Sequence, residues 1–180
     1  MARIIPNDPL LATGKVLALI LQGLCALAGV ILFAVMLLLV LISQDLADGI
    51  VNANEFELID NSLVSYIAIL VMLSAIVAAL FAFFGKMRAI IVSVGEGDPF
   101  IAENAQRLGS MAWLLLGVEV LAVLVGLVRL YLANLASGGG DRLGFSIYDL
   151  TGPVMVLVLF ILARVFRKGT EMRADLEGTV

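Results

Sequence analysis

The sequence predicts an all-α membrane protein, four transmembrane helices in a bundle with both termini cytoplasmic, and three observations carry that prediction. The chain is 62% hydrophobic with only 14% charged residues, whereas soluble domains are about half apolar and a quarter charged. Its apolar residues gather into four runs long enough, or nearly so, to cross a bilayer. Its lysines and arginines lie almost entirely at one set of run ends.

Taken in order, residues 1–13 hold Pro6, Asn7, Asp8 and Pro9 and read as a short lead-in. The first span covers residues 14–43, more than the ~20 residues that cross ~30 Å of hydrocarbon. Its apolar run is also too long for a cleavable signal peptide, so it reads as a retained span. Residues 44–61 carry Asp45, Asp48, Glu55, Glu57 and Asp60 without a lysine or arginine, an acidic connection expected to form a short turn or interfacial helix. The second span covers 62–84. Apolar character continues beyond Gly85, so either this glycine breaks the helix or the helix projects into water with Lys86 and Arg88 at the headgroups.

Residues 85–109 form the polar middle of the chain. Gly95 and Gly97 suit a helix end, and Asp98-Pro99 suits the cap and first turn of the next helix. The third span covers 110–132. A loop with Ser137-Gly138-Gly139-Gly140 follows, then a short fourth span, 150–165, which Phe145–Tyr148 or the stem of Arg164 would help match to the bilayer. Residues 166–180 form a tail. The N-terminal segment, the 85–109 loop and the tail hold Arg3, Lys15, Lys86, Arg88, Arg107, Arg164, Arg167, Lys168 and Arg173, against Arg129 and Arg142 elsewhere. The positive-inside rule therefore places both termini and the central loop in the cytoplasm. The whole chain reads as one integral membrane domain.

Chemistry is sparse. With no histidine and one cysteine, Cys25, there is no disulfide framework, no expected metal site and no cofactor. A catalytic serine such as Ser65 or Ser74 would lack an imidazole base. Gly95-Glu96-Gly97-Asp98-Pro99-Phe100 lacks the ending of a phosphate loop, and no basic stripe suggests direct nucleic-acid binding. No enzyme is expected. Small residues offer contact faces, Ser74, Ala78 and Ala82 on the second span and Ala122 and Gly126 on the third. Trp113 and Tyr131 bracket the third span as interfacial aromatics. Glu119 lies at mid-span, where a charge costs roughly 3 kcal/mol. It is expected to face the bundle interior and hydrogen-bond to Ser74, Gln22, Tyr66 or a backbone carbonyl.

Two stretches resemble a known family: Gly97-Asp98-Pro99-Phe100 with Glu103-Asn104 and Arg107-Leu108, and Leu162-Ala163-Arg164-Val165-Phe166 with Gly169 and the ending from Asp175-Leu176-Glu177 to Val180. They are similar to the bacterial four-span membrane family catalogued as domain of unknown function 2975, in span order over nearly the whole chain. Members are often encoded beside a small Cro/CI-type helix-turn-helix regulator. The resemblance thus implies a membrane partner for a cytoplasmic regulator, with Asp98, Pro99, Phe100, Glu103, Asn104, Arg107, Arg164, Asp175 and Glu177 as docking candidates. Asn104 and Arg107 could equally tie the loop to the C-terminal tail. A small transporter or channel using Glu119 is the alternative class. The bilayer is the first expected partner, and a homo-oligomer is compatible with either reading.

Overall fold

The structure, a computed structural model, describes residues 9–49, 53–137 and 150–177. Its elements are four helices: α1 (Pro9–Gly49), α2 (Ala53–Gly95), α3 (Ala102–Ser137) and α4 (Thr151–Glu177). Long apolar segments take this form because a backbone surrounded by hydrocarbon must satisfy its own hydrogen bonds. The prolines respect the rule: Pro9 opens α1 and Pro153 lies in the first turn of α4, where a missing N–H breaks nothing. α1, α2 and α3 are each long and apolar enough to cross a membrane. The apolar part of α4 is shorter, because Arg164, Arg167 and Lys168 interrupt it.

The helices extend further than the sequence predicts. The lead-in is helical from Pro9. The acidic connection is mostly absorbed into α1 and α2, which end and begin at Gly49 and Ala53. α2 runs unbroken through Gly85 to Gly95, a 43-residue helix about 64 Å long, so it projects beyond the hydrocarbon instead of breaking. The central loop shrinks from residues 85–109 to 96–101, α3 starts at Ala102 rather than 110, and the tail continues α4 to Glu177. Gly138–Gly140 and Phe145–Tyr148 lie outside the described residues.

Gly85 has a different role from helix breaking. A Cβ at this position would stand 3.2 Å from Gln22 Nε2, so the missing side chain lets α1 pass close to α2. Gly14 against Ile91, Gln22 against Gly85 and Gly29 against Val77 step along the two helices in opposite directions, which makes them antiparallel. α2 and α3 are joined antiparallel through Ser93 and Asn104. α3 and α4 are antiparallel too, with Phe100 on Phe166, Trp113 on Phe160 and Glu119 on Gly152. Packing runs only between chain neighbours, and among the described residues α1 and α4 do not pack together. The expected bundle is therefore an open row. Lipid solvates outer apolar faces as well as another helix would, so nothing forces the row to close.

Buried residues gather at one end of this row. Ala105, Leu108, Met111 and Ala112 of α3, Ala163 of α4 and the polar Ser93 and Asn104 are buried, while the membrane-length parts expose large apolar side chains such as Leu27, Phe33 and Val123. Of the expected small-residue faces, Ser74 and Ala82 are half-buried. Ala78 and Ala122 are exposed, and nothing lies within 4 Å of a Cβ built on Gly126. The close approaches use Gly14, Ala18, Gly85, Gly152 and Gly169 instead. In a Cys25→Ser background, cysteine pairs at Gly29 with Val77 and at Trp113 with Phe160 should cross-link within one chain on mild oxidation. A pair at Leu24 with Val158 should not, and its efficient intrachain cross-linking would contradict the open row.

Candidate functional site

The chain turns from α2 into α3 through a Schellman ending. Asp98 N–H donates to Ser93 O at 3.3 Å and Gly97 N–H to Val94 O at 3.1 Å, with Gly97 at φ 91°. That backbone region strains any residue with a Cβ, so the glycine is required. Asp98 follows the left-handed residue and belongs to the ending of α2. It does not cap α3, whose first turn begins at Ala102, with Asn104 N–H donating to Ile101 O at 3.1 Å.

Asn104 locks the turn from within. It is fully buried, and its amide is used on both sides. Nδ2 donates to Ser93 Oγ at 2.7 Å and to Pro99 O at 3.0 Å, while Oδ1 accepts from Arg107 Nη1 at 2.8 Å. Ser93 Oγ passes its single proton to Ile90 O at 2.8 Å. Asn104 and Arg107 thus tie the loop and α3 to α2, not to the C-terminal tail.

The tie to the tail comes from Asp98 and Phe100. The Arg173 guanidinium donates to the Asp98 carboxylate, and both side chains are more than a third exposed. Such a pair contributes about 0–1 kcal/mol, so its value is chiefly positional. Phe100 lies on α4 with its ring centroid 5.3 Å from that of Phe166. A Cβ on Gly169 would come within 2.9 Å of the same ring, so glycine is what lets Phe100 settle on the helix. Phe166, Gly169 and Arg173 share one face of α4 by their spacing.

The remaining candidates divide. Glu103 is exposed at the start of α3, and Asp175 is exposed near the end of α4. Arg164 lies one turn further from the joint, beside a groove between α3 and α4. The side chain of Glu177 lies outside the described residues. Glu103 and Arg107 are one turn apart on α3, but Arg107 is engaged by Asn104. Ser93, Phe166 and Gly169 were not singled out as site residues from the sequence. Only the turn geometry that places Ser93 opposite Asn104 reveals its part.

Glu119 is half-buried and faces α4, away from Ser74, Gln22 and Tyr66. Ser74 bonds instead to Leu70 O within its own helix. The Glu119 carboxylate occupies the space a side chain at Gly152 would fill. Gly152 lies in the first turn of α4, at the positive end of that helix dipole, where an acidic group is favoured by about 0.3–1 kcal/mol. Among the described residues no group of three His, Cys, Asp or Glu could hold a metal ion.

A family model for proteins of unknown function, DUF2975, matches residues 49–180. The chain belongs to DUF2975. No curated protein and no solved structure matches it. The DUF2975 match takes in α2, α3, α4 and both motif stretches, and leaves α1 outside except for Gly49, a narrower extent than the nearly whole-chain likeness read from the sequence. Within the DUF2975 region, the Gly97–Phe100 motif and the Phe166–Gly169 motif touch.

Asn104→Ala should lower stability by about 2–3 kcal/mol, since it leaves Ser93 and the Pro99 carbonyl without their donor. Thermal unfolding in detergent, compared with Glu103→Ala as an exposed control, measures this. The same assay applied to Glu119 should show a loss of less than about 1 kcal/mol for Glu119→Gln, which keeps the shape, and a larger loss for Glu119→Lys, which sets a cation against the positive end of α4.

Proposed function

We propose that this DUF2975 protein is a four-span protein of the bacterial inner membrane that presents its α2–α3 turn and α4 as one docking surface for a small cytoplasmic helix-turn-helix regulator. The observation that carries this reading is the joint itself. Asp98 with Arg173, and Phe100 on Gly169 and Phe166, bring the two motif stretches of the family into a single ordered surface. The exposed charges Glu103 and Asp175 flank it. The identity of the partner follows from the family resemblance, whose members are often encoded beside such a regulator.

A fourth crossing is supported by connectivity. Once α3 crosses, the return of Arg173 to Asp98 obliges the chain to cross back between Ser137 and Arg173. The described part of α4 begins beside Glu119, alongside the half of α3 nearer the turn. The cytoplasmic orientation is supported by charge, because Lys86, Arg88, Arg107 and Arg164 all lie toward the turn end of their helices. The transporter reading has less behind it. α1, α2 and α3 are continuous, whereas transporter sites are typically built from broken helices, and Glu119 is occupied by its contact with α4.

Two experiments test the proposal. Cysteine labelling of intact cells should modify probes at Asn54 and Gly139 and spare one at Gly97; labelling at Gly97 would reverse the orientation. Asp98→Arg should sharply reduce co-purification of the neighbouring regulator without affecting membrane insertion, and Asp98→Arg with Arg173→Asp should restore it. Undiminished capture by Asp98→Arg and by a chain lacking residues 170–180 would place the docking surface elsewhere.

A further inference from the structure

Alongside the turn-end joint and reaching toward the middle of α3, α3 and α4 line an open groove of about 940 Å³. Its two ends differ in chemistry. At the apolar end Trp113, 66% exposed, meets Phe160 edge to face at 5.4 Å. At the other end Arg164 and Arg167 stand three residues apart on α4, with Lys168 and the acidic Glu171 also in the lining. Lys168 is paired with Glu171 at 3.2 Å, whereas no carboxylate lies within salt-bridge distance of Arg164 or Arg167 among the described residues. Gly109 lines the groove without filling it, since nothing lies within 4 Å of a Cβ built there.

We infer that this groove binds an anionic glycerophospholipid, with the phosphodiester held by Arg164 and Arg167 and the acyl chains laid along Trp113 and Phe160. Arginine presents a planar fork that matches phosphate oxygens two at a time. The apolar stretch of α4 is first interrupted at Arg164 and ends at Phe166, immediately before Arg167 and Lys168, so the arginines stand at headgroup depth, where tryptophan is also favoured. Exposed Ile161 and Val165 continue the apolar wall outward, so acyl chains can pass from the groove into the bilayer without crossing a polar surface. A free phosphate would use the arginines and leave the aromatic pair uncovered. The volume lies within the range of about 300–1,000 Å³ usual for small-molecule sites. The inference needs only the membrane embedding and is independent of the regulator.

Trp113 is the only tryptophan in the chain, so its fluorescence reports this groove alone. Full-length protein is placed in phosphatidylcholine nanodiscs carrying an equal, small fraction of either brominated phosphatidylglycerol or brominated phosphatidylcholine. Brominated phosphatidylglycerol should quench Trp113 well beyond brominated phosphatidylcholine. Arg164→Gln with Arg167→Gln should weaken that preference by about tenfold, taking a factor of about five for each basic residue as the upper scale. Lys86→Gln with Arg88→Gln, an equal charge loss at the same end but outside the groove, should preserve it. Unchanged quenching by brominated phosphatidylcholine verifies that each variant keeps Trp113 at its depth. Arg164→Lys with Arg167→Lys, which keeps the charge and removes the fork, should fall between wild type and the double glutamine. Equal quenching of the wild type by both lipids would overturn the assignment. So would an equal loss of preference in the Lys86 and Arg88 variant, which would indicate surface charge alone, or displacement of the lipid by inorganic phosphate, which would indicate a free-anion site.

Discussion

The buried amide of Asn104 is the constraint on which the rest of the architecture depends. A polar side chain removed from water must have its hydrogen bonds met within the protein, and leaving one unmet costs about 1–3 kcal/mol. Asn104 meets that requirement by bonding Ser93 at the end of α2, Pro99 in the turn and Arg107 on α3. Few alternative turn conformations could satisfy all three at once. The amide therefore fixes the direction in which Asp98 and Phe100 leave the turn, and these are the residues that reach α4.

The distribution of packing follows from the two solvents. Within the bilayer, lipid competes evenly with a neighbouring helix for leucine and phenylalanine, so the long apolar parts of α1 and α3 gain little by being buried and remain exposed. At the turn end, water cannot solvate apolar side chains so cheaply. There Ala105, Leu108, Met111 and Ala112 are buried along with the Asn104 amide.

Legibility in the sequence divided along the same line. The spans and the charge bias are sums over many residues, and they could be read without coordinates. Gly85 was ambiguous because a glycine in a helix can mark a break or a close approach, and only the position of Gln22 decides. The small-residue stripes do not hold at Ala78, Ala122 and Gly126, because alanine is common on every face of a membrane helix and the contacting positions are set by register between helices. Asp98-Pro99 resembled a helix start, yet the positive φ of Gly97 commits Asp98 to the ending of α2. A tie between the turn and the C-terminal segment could be read from the charges on both, although the sequence assigns it to Asn104 and Arg107. The residues that achieve it could not, because Phe100 on Gly169 is a matter of shape.

The contacts between α3 and α4 also explain why an open space persists between them. The pair is pinned at the turn end by Asp98, Phe100, Gly169 and Arg173, and near the middle of α3 by the Glu119 carboxylate seated on Gly152. Both pins exploit a missing side chain on α4, so both draw the backbones together. Between them the bulky Trp113 and Phe160 meet edge to face and hold the helices apart. Gly109, one turn from Trp113 on the same helix, leaves the resulting space unfilled. Two close contacts flanking an aromatic spacer thus produce a groove that opens toward lipid on one side and toward the α4 arginines on the other.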